Sequence, residues 1–252
     1  MGEVIDLKDK VKRYYSFTNG EIVGLVSSIV LIAFMISFKD WGTEIFDASA
    51  GFVNFFNAIL MVALSILVHD AGQRIVGLVI GFRIEYKVWI VGLIFGLMVT
   101  FISNGSLWVI LPGYFVVHHM AGHRLGFFRY GINIVGQGMI AFAGPLANLI
   151  LVIFLKLVSI FVSNALIEKA IFFNVVYIIT SMLPLPYLDG SKIYFGSRMT
   201  YAFMMPFIIA SAILLIIDIN TLLALILSFL IGVSLWITYY IVFERKIWNG
   251  PR

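Results

Sequence analysis

The chain contains no cysteine, and charged residues make up only 12% of its 252 positions. The first absence excludes a disulfide framework, thiolate zinc or iron–sulfur sites and a cysteine nucleophile, so any metal must be held by His, carboxylate or amide groups. The second excludes a water-soluble globule, since ordinary soluble domains carry about 25% charge and roughly 45–50% apolar residues. Here 62% of the residues are hydrophobic. A chain of this size keeps a large share of its surface exposed, so the solvent meeting that surface must itself be apolar. Its 17 Lys and Arg give a net charge of +4. Spread along a membrane chain, they read as topology signals rather than as a nucleic-acid face.

What is present in abundance is apolar runs long enough to cross a bilayer, roughly 17–25 residues each. They fall at 22–38, 58–81, 139–162, 171–188, 200–217 and 220–243, after a short amphipathic prelude, and predict six spans in an all-α polytopic membrane protein. The stretch 88–102 is short for a span. Left uncrossed, it puts thirteen of the 17 basic residues on the inner side, against Lys39 and Lys169 outside, with Arg74 and Lys156 within spans. Counted as a span, it leaves the basic residues almost evenly divided, so the positive-inside rule makes 88–110 a re-entrant or surface element and both termini cytoplasmic. Between it and the third span, the runs Tyr114–His118 and Phe127–Val135 flank Ala-Gly-His-Arg-Leu-Gly and suggest a β-hairpin. With no repeat or low-complexity tract, residues 1–252 read as one integral membrane domain.

Ionisable groups inside spans are costly, about 2.5–3.5 kcal/mol for Asp, Lys or Arg at a helix centre on insertion scales, and so are functional candidates. The second span carries His69-Asp70-Ala-Gly-Gln73-Arg74 near mid-membrane. His69 and Gln73 share one helix face, and Asp70 and Arg74 share the next, where they can pair. The third span opens with Ala143-Gly-Pro-Leu-Ala-Asn148, which permits close helix approach. The fourth ends in Leu183-Pro-Leu-Pro186-Tyr-Leu-Asp189-Gly190, where two prolines break the helix.

These three motifs, in this order, resemble the site-2 protease family of intramembrane zinc metalloproteases, over a core of about 58–196. The resemblance implies that His69 and Asp189 are zinc ligands and that Asn148 lines a substrate cleft. An interhelical hydrogen bond is the plain alternative for Asn148, and a metal-free hydrogen-bonded pair the alternative for His69 and Asp189. Two positions depart from the family's HExxH pattern. Gln73 stands where the second histidine is expected, and a neutral amide is a much weaker zinc donor than imidazole, thiolate or carboxylate. Asp70 stands at the general-base position, one methylene short where catalysis tolerates little displacement.

Metal and base are thus compromised together, and zinc becomes a doubtful cofactor. The expected function is a metalloprotease-like chain with degenerate motifs, weak or inactive in proteolysis, that binds transmembrane helices of other membrane proteins in the cell membrane. The alternative is an active zinc protease with a variant site that cleaves such helices. His119 and His123, with His118 beside them, are candidate substitute ligands, although a spacing of four aligns side chains only on a helix. A transporter is disfavoured by the lack of a repeated half. His69, Gln73, Asn148 and Asp189 are expected to converge on one buried polar site.

Overall fold

A capping box opens the first spanning helix. Thr18 Oγ1 accepts from the Glu21 amide at 3.3 Å, and Glu21 Oε2 accepts from the Thr18 amide at 2.7 Å, satisfying two otherwise orphaned donors. The computed structural model describes residues 2–42, 46–120, 133–217 and 219–245. In chain order these form α1 (Gly2–Tyr14), α2 (Asn19–Ser37), α3 (Ala48–Ile80), β1 (Phe82–Val88), α4 (Ile90–Ile102), β2 (Gly113–His119), α5 (Ile134–Phe161), α6 (Ala165–Ser181), α7 (Asp189–Gly196), α8 (Arg198–Ile216) and α9 (Thr221–Tyr239), which runs into a π-helical turn at Tyr240–Glu244. The protein is a mostly helical, polytopic membrane protein with one small sheet.

Among the described residues, five helices are long and apolar enough to cross a membrane: α2, α3, α5, α8 and α9 with its π turn. The expected fourth span is shorter and shifted, at 165–181 rather than 171–188. Its 17 residues rise about 25 Å, less than a hydrocarbon core of about 30 Å. The shift has a cause in Pro184 and Pro186, which lack amide donors and stop the helix at Ser181. α6 packs against α3, α5 and α8, and Asn174 Nδ2 on it donates to Ser65 Oγ on α3 at 2.9 Å.

The stretch read as re-entrant is α4, held between two strands. The hairpin expectation is corrected in its pairing. β2 pairs antiparallel with β1, from Phe82 opposite His119 to Val88 opposite Gly113, so the partner strand precedes α4. The alternation in Phe82-Arg-Ile-Glu-Tyr-Lys-Val explains this, since Ile84 and Tyr86 turn to the buried face while Arg83, Glu85 and Lys87 face the other side. Most of the run expected at 127–135 lies outside the described residues, and Asn133 already caps α5. Ser28 Oγ, 2.8 Å from the Tyr86 hydroxyl and donating to the Pro112 carbonyl at 3.0 Å, ties the strand pair to α2.

Lys156 reaches the end of α8, where its ammonium donates to the carbonyls of Leu215 (2.8 Å) and Ile217 (3.0 Å). Those are carbonyls left open at a helix C-terminus, which a cation favours.

Candidate functional site

α3 and α5 cross at small residues. A Cβ on Gly72 would lie 2.7 Å from both the Ala143 carbonyl oxygen and the Ala147 Cβ, and one on Gly144 would lie 2.3 Å from His69 Nε2. The Ala-Gly-Pro-Leu-Ala stretch therefore creates the space that the imidazole fills. α7 begins at Asp189, directly after the broken segment, and brings its carboxylate against α3. Gly190 fixes that placement, since a Cβ there would meet the Met182 carbonyl oxygen at 2.1 Å.

The four residues expected to converge are brought together. His69 Nε2 lies 2.9 Å from Asp189 Oδ2, Gln73 Nε2 donates to Asp189 Oδ1 at 2.8 Å, and Asn148 Nδ2 lies 3.3 Å from His69 Nδ1. All four are buried. With the Asn148 amide donating, Nδ1 is the acceptor and the proton sits on Nε2, which donates to Asp189. The hydrogen-bond network around the ring sets this tautomer. Gln73 Nε2, 3.1 Å from His69 Nε2, is then a second donor to the same carboxylate. Tyr177 of α6 stacks on the imidazole with ring centroids 4.7 Å apart.

Asp70, at the base position, is held by Arg74, whose Nε donates to its Oδ2 at 2.5 Å. Arg74 also bonds Glu21 and covers the Phe17 ring, with its guanidinium carbon 4.1 Å from the centroid. Glu21 Oε1 further accepts from the Tyr86 amide at 2.9 Å. One carboxylate thus caps α2, pairs an arginine and anchors β1. Both carboxylates and the guanidinium are buried. The pairing of Asp70 with Arg74 was legible from their spacing, but Glu21 was missed; a lone acidic residue at the start of an apolar run was its only signal.

A cavity of about 20 Å³ lies beside these groups, bordered by His69, Asp70, Gln73, Tyr86, Pro112–Tyr114, Tyr177, Ser181, Leu188 and Asp189 among others. That is room for about one water molecule. His119 does not border it. It lies at the opposite end of β2 from Tyr114, about 17 Å along the strand, with its ring against Phe82. His118 faces Glu85, Nε2 to Oε2 at 2.9 Å, and Lys87 bonds the same carboxylate and holds it below the usual range. Neither histidine joins the site, and His123 lies outside the described residues. On α7, the Lys192 ammonium is buried with no hydrogen-bond partner, 3.7 Å from the Phe115 ring centroid; burial pushes its pKa down to about 8.

The donor set does not fit a catalytic zinc. Such a metal takes three protein ligands from imidazole, thiolate or carboxylate. Among the described residues, no three His, Cys, Asp or Glu side chains converge. A zinc-bound imidazole turns a lone pair to the metal and donates its other N–H outward. The Asn148 amide faces that outward nitrogen, Nδ2 to Nδ1 at 3.3 Å with Oδ1 buried without a partner, and turned over it would receive an N–H there, so the misfit rests on the missing third ligand.

The chain is 26% identical over 184 residues to a Methanocaldococcus jannaschii protein named "Putative zinc metalloprotease", covering 71% of this chain and 85% of that one. No family model and no solved structure matches. The likeness supports a metalloprotease-like role for a chain whose helices mark it as membrane-inserted.

Proposed function

We propose that this chain is a proteolytically weak or silent relative of the site-2 proteases, which keeps the fold to bind transmembrane helices of other membrane proteins in the cell membrane. One observation carries the reading. Gln73, at the position of a metal ligand, commits its amide to Asp189, so the remaining ligand candidates are satisfied by hydrogen bonds alone. Asp70, locked to Arg74, is not free to activate water. Capture of transmembrane segments by the purified chain, measured by crosslinking in liposomes, is expected to be unchanged by a chelator. Capture that requires added zinc would contradict it.

The alternative, an active zinc protease with a variant site, is favoured by the Asn148 amide. Turned over, it would accept from His69 Nδ1 and free the Nε2 lone pair. Chelator-sensitive cleavage of a transmembrane substrate, abolished by His69→Ala, would establish that alternative.

In the same reading both termini and the β1–α4–β2 element lie on the cytoplasmic side, because that layout gathers the basic residues there. Reporter fusions at residue 104 and at the two ends are expected to report the cytoplasm. Termini on opposite sides, or an external residue 104, would refute the layout.

A further inference from the structure

The cavity beside His69 and Asp189, at about 20 Å³, admits one water and no part of a polypeptide. Any partner segment that reaches this site needs one of the bordering elements to move, and these elements differ in how they are fixed. α3 and α5 meet at their small residues, with Gly72 against Ala143 and Ala147. β1 and β2 are joined along seven paired positions and hooked to α2 through Ser28. The segment from Leu183 to Leu188 contains two prolines, and its backbone is held by the turn bonds Leu183 to Thr180 and Leu188 to Leu185 and by Ser191 Oγ, which donates to the Leu188 carbonyl at 2.7 Å. Within it Tyr187 has φ +70°, a left-handed conformation that a bulky non-glycine residue rarely holds and that costs of order 1–3 kcal/mol.

What holds Tyr187 there is aromatic contact. Its ring lies 4.8 Å from that of Tyr114 and 5.4 Å from that of Trp89, centroid to centroid. Tyr114 borders the cavity, and Trp89 leads into α4 with its amide on the Pro112 carbonyl. Tyr187 as a whole is about half exposed, at 51%. A strained, half-exposed residue next to Leu188 and Asp189 therefore clasps the broken helix to the strand at Tyr114, which borders the cavity, although Tyr187 itself does not.

We propose that Tyr187 is the latch of the site: with Trp89 it holds the broken segment to Tyr114 at the cavity's border, and release of its ring lets the 183–188 segment swing aside to admit a partner. Strained residues of this kind cluster where a segment switches between two positions. The proposal deepens the helix-binding reading by assigning the site's access control. Its test needs neither partner nor metal, so its failure leaves that reading standing.

Because the chain has no cysteine, a single introduced thiol reports access cleanly. Ser181→Cys places one against the cavity, and a water-soluble maleimide added to the full chain in open membrane sheets measures its exposure. Tyr187→Ala, which removes the ring and keeps the strained backbone, is expected to speed labelling at least about tenfold, the change implied by losing two aromatic contacts. Trp89→Ala should speed it less, and Tyr187→Phe should leave it unchanged. Ser228→Cys, buried between α8 and α9, serves as the control for loosening of the whole fold and should stay slow throughout. Equal labelling of the thiol at position 181 in the parent and both ring-removing variants, or parallel acceleration at position 228, would overturn the proposal.

Discussion

Gln73→His is expected to raise zinc affinity by on the order of a hundredfold, one imidazole's share of the binding energy of a structural zinc site, and to leave peptide hydrolysis absent. The imidazole would replace the amide now bonded to Asp189 and complete a His, His, Asp set of the kind that holds catalytic zinc. A bound metal still needs a base within hydrogen-bond reach of its water. Asp70 is too short and is engaged by Arg74 at 2.5 Å. Hydrolysis is therefore expected only when Asp70→Glu is added, the longer side chain carrying its carboxylate past the guanidinium. Zinc titration by calorimetry and a chelator-controlled cleavage assay check the two halves separately. Cleavage by the Gln73→His variant alone would show that Asp70 serves as the base where it stands.

Arg74→Ala is expected to cost about 3–5 kcal/mol of stability, the range for removing one partner of a buried ion pair. Arg74 balances two buried carboxylates, Asp70 and Glu21, and its removal leaves both in low dielectric. The loss should spread beyond α3, because Glu21 also anchors β1 through the Tyr86 amide. Reversible unfolding in detergent micelles measures it. Adding Glu21→Gln to Arg74→Ala should recover part of the loss, since the neutral amide still accepts from Tyr86 without a buried charge. A cost under about 1 kcal/mol, the value for exposed pairs, would show that water reaches this cluster.

The long apolar helices, the separate short helix at 90–102 and the four converging residues were legible because each rests on a local pattern: an apolar run, a helix spacing of four, or prolines that break a helix. What stayed hidden depended on distant partners. β1 falls just past the end of the span at 58–81, where the sequence reading places no element, since nothing local shows that Phe82–Val88 pairs with a strand beyond an inserted helix. Glu21 draws no notice as a lone acid at the start of an apolar run, and its pairing with Arg74 and Tyr86 exists only once α3 and β1 are placed beside it. The histidines near 118–123 looked like spare ligands by spacing, but β2 carries His118 and His119 to the far end of the ladder from the site. The substitutions at Gln73 and Asp70 were plain in sequence. The closed hydrogen-bond network that Gln73 makes with His69 and Asp189 needed the three-dimensional arrangement.

The central claim is that this polar site is closed by hydrogen bonds rather than by a metal. The zinc content of the purified, unmodified chain, determined by elemental analysis after expression with zinc supplied, tests it most directly. The account predicts far less than one zinc per chain in the parent and close to one in Gln73→His. One tightly held zinc per parent chain, lost on His69→Ala, would contradict it.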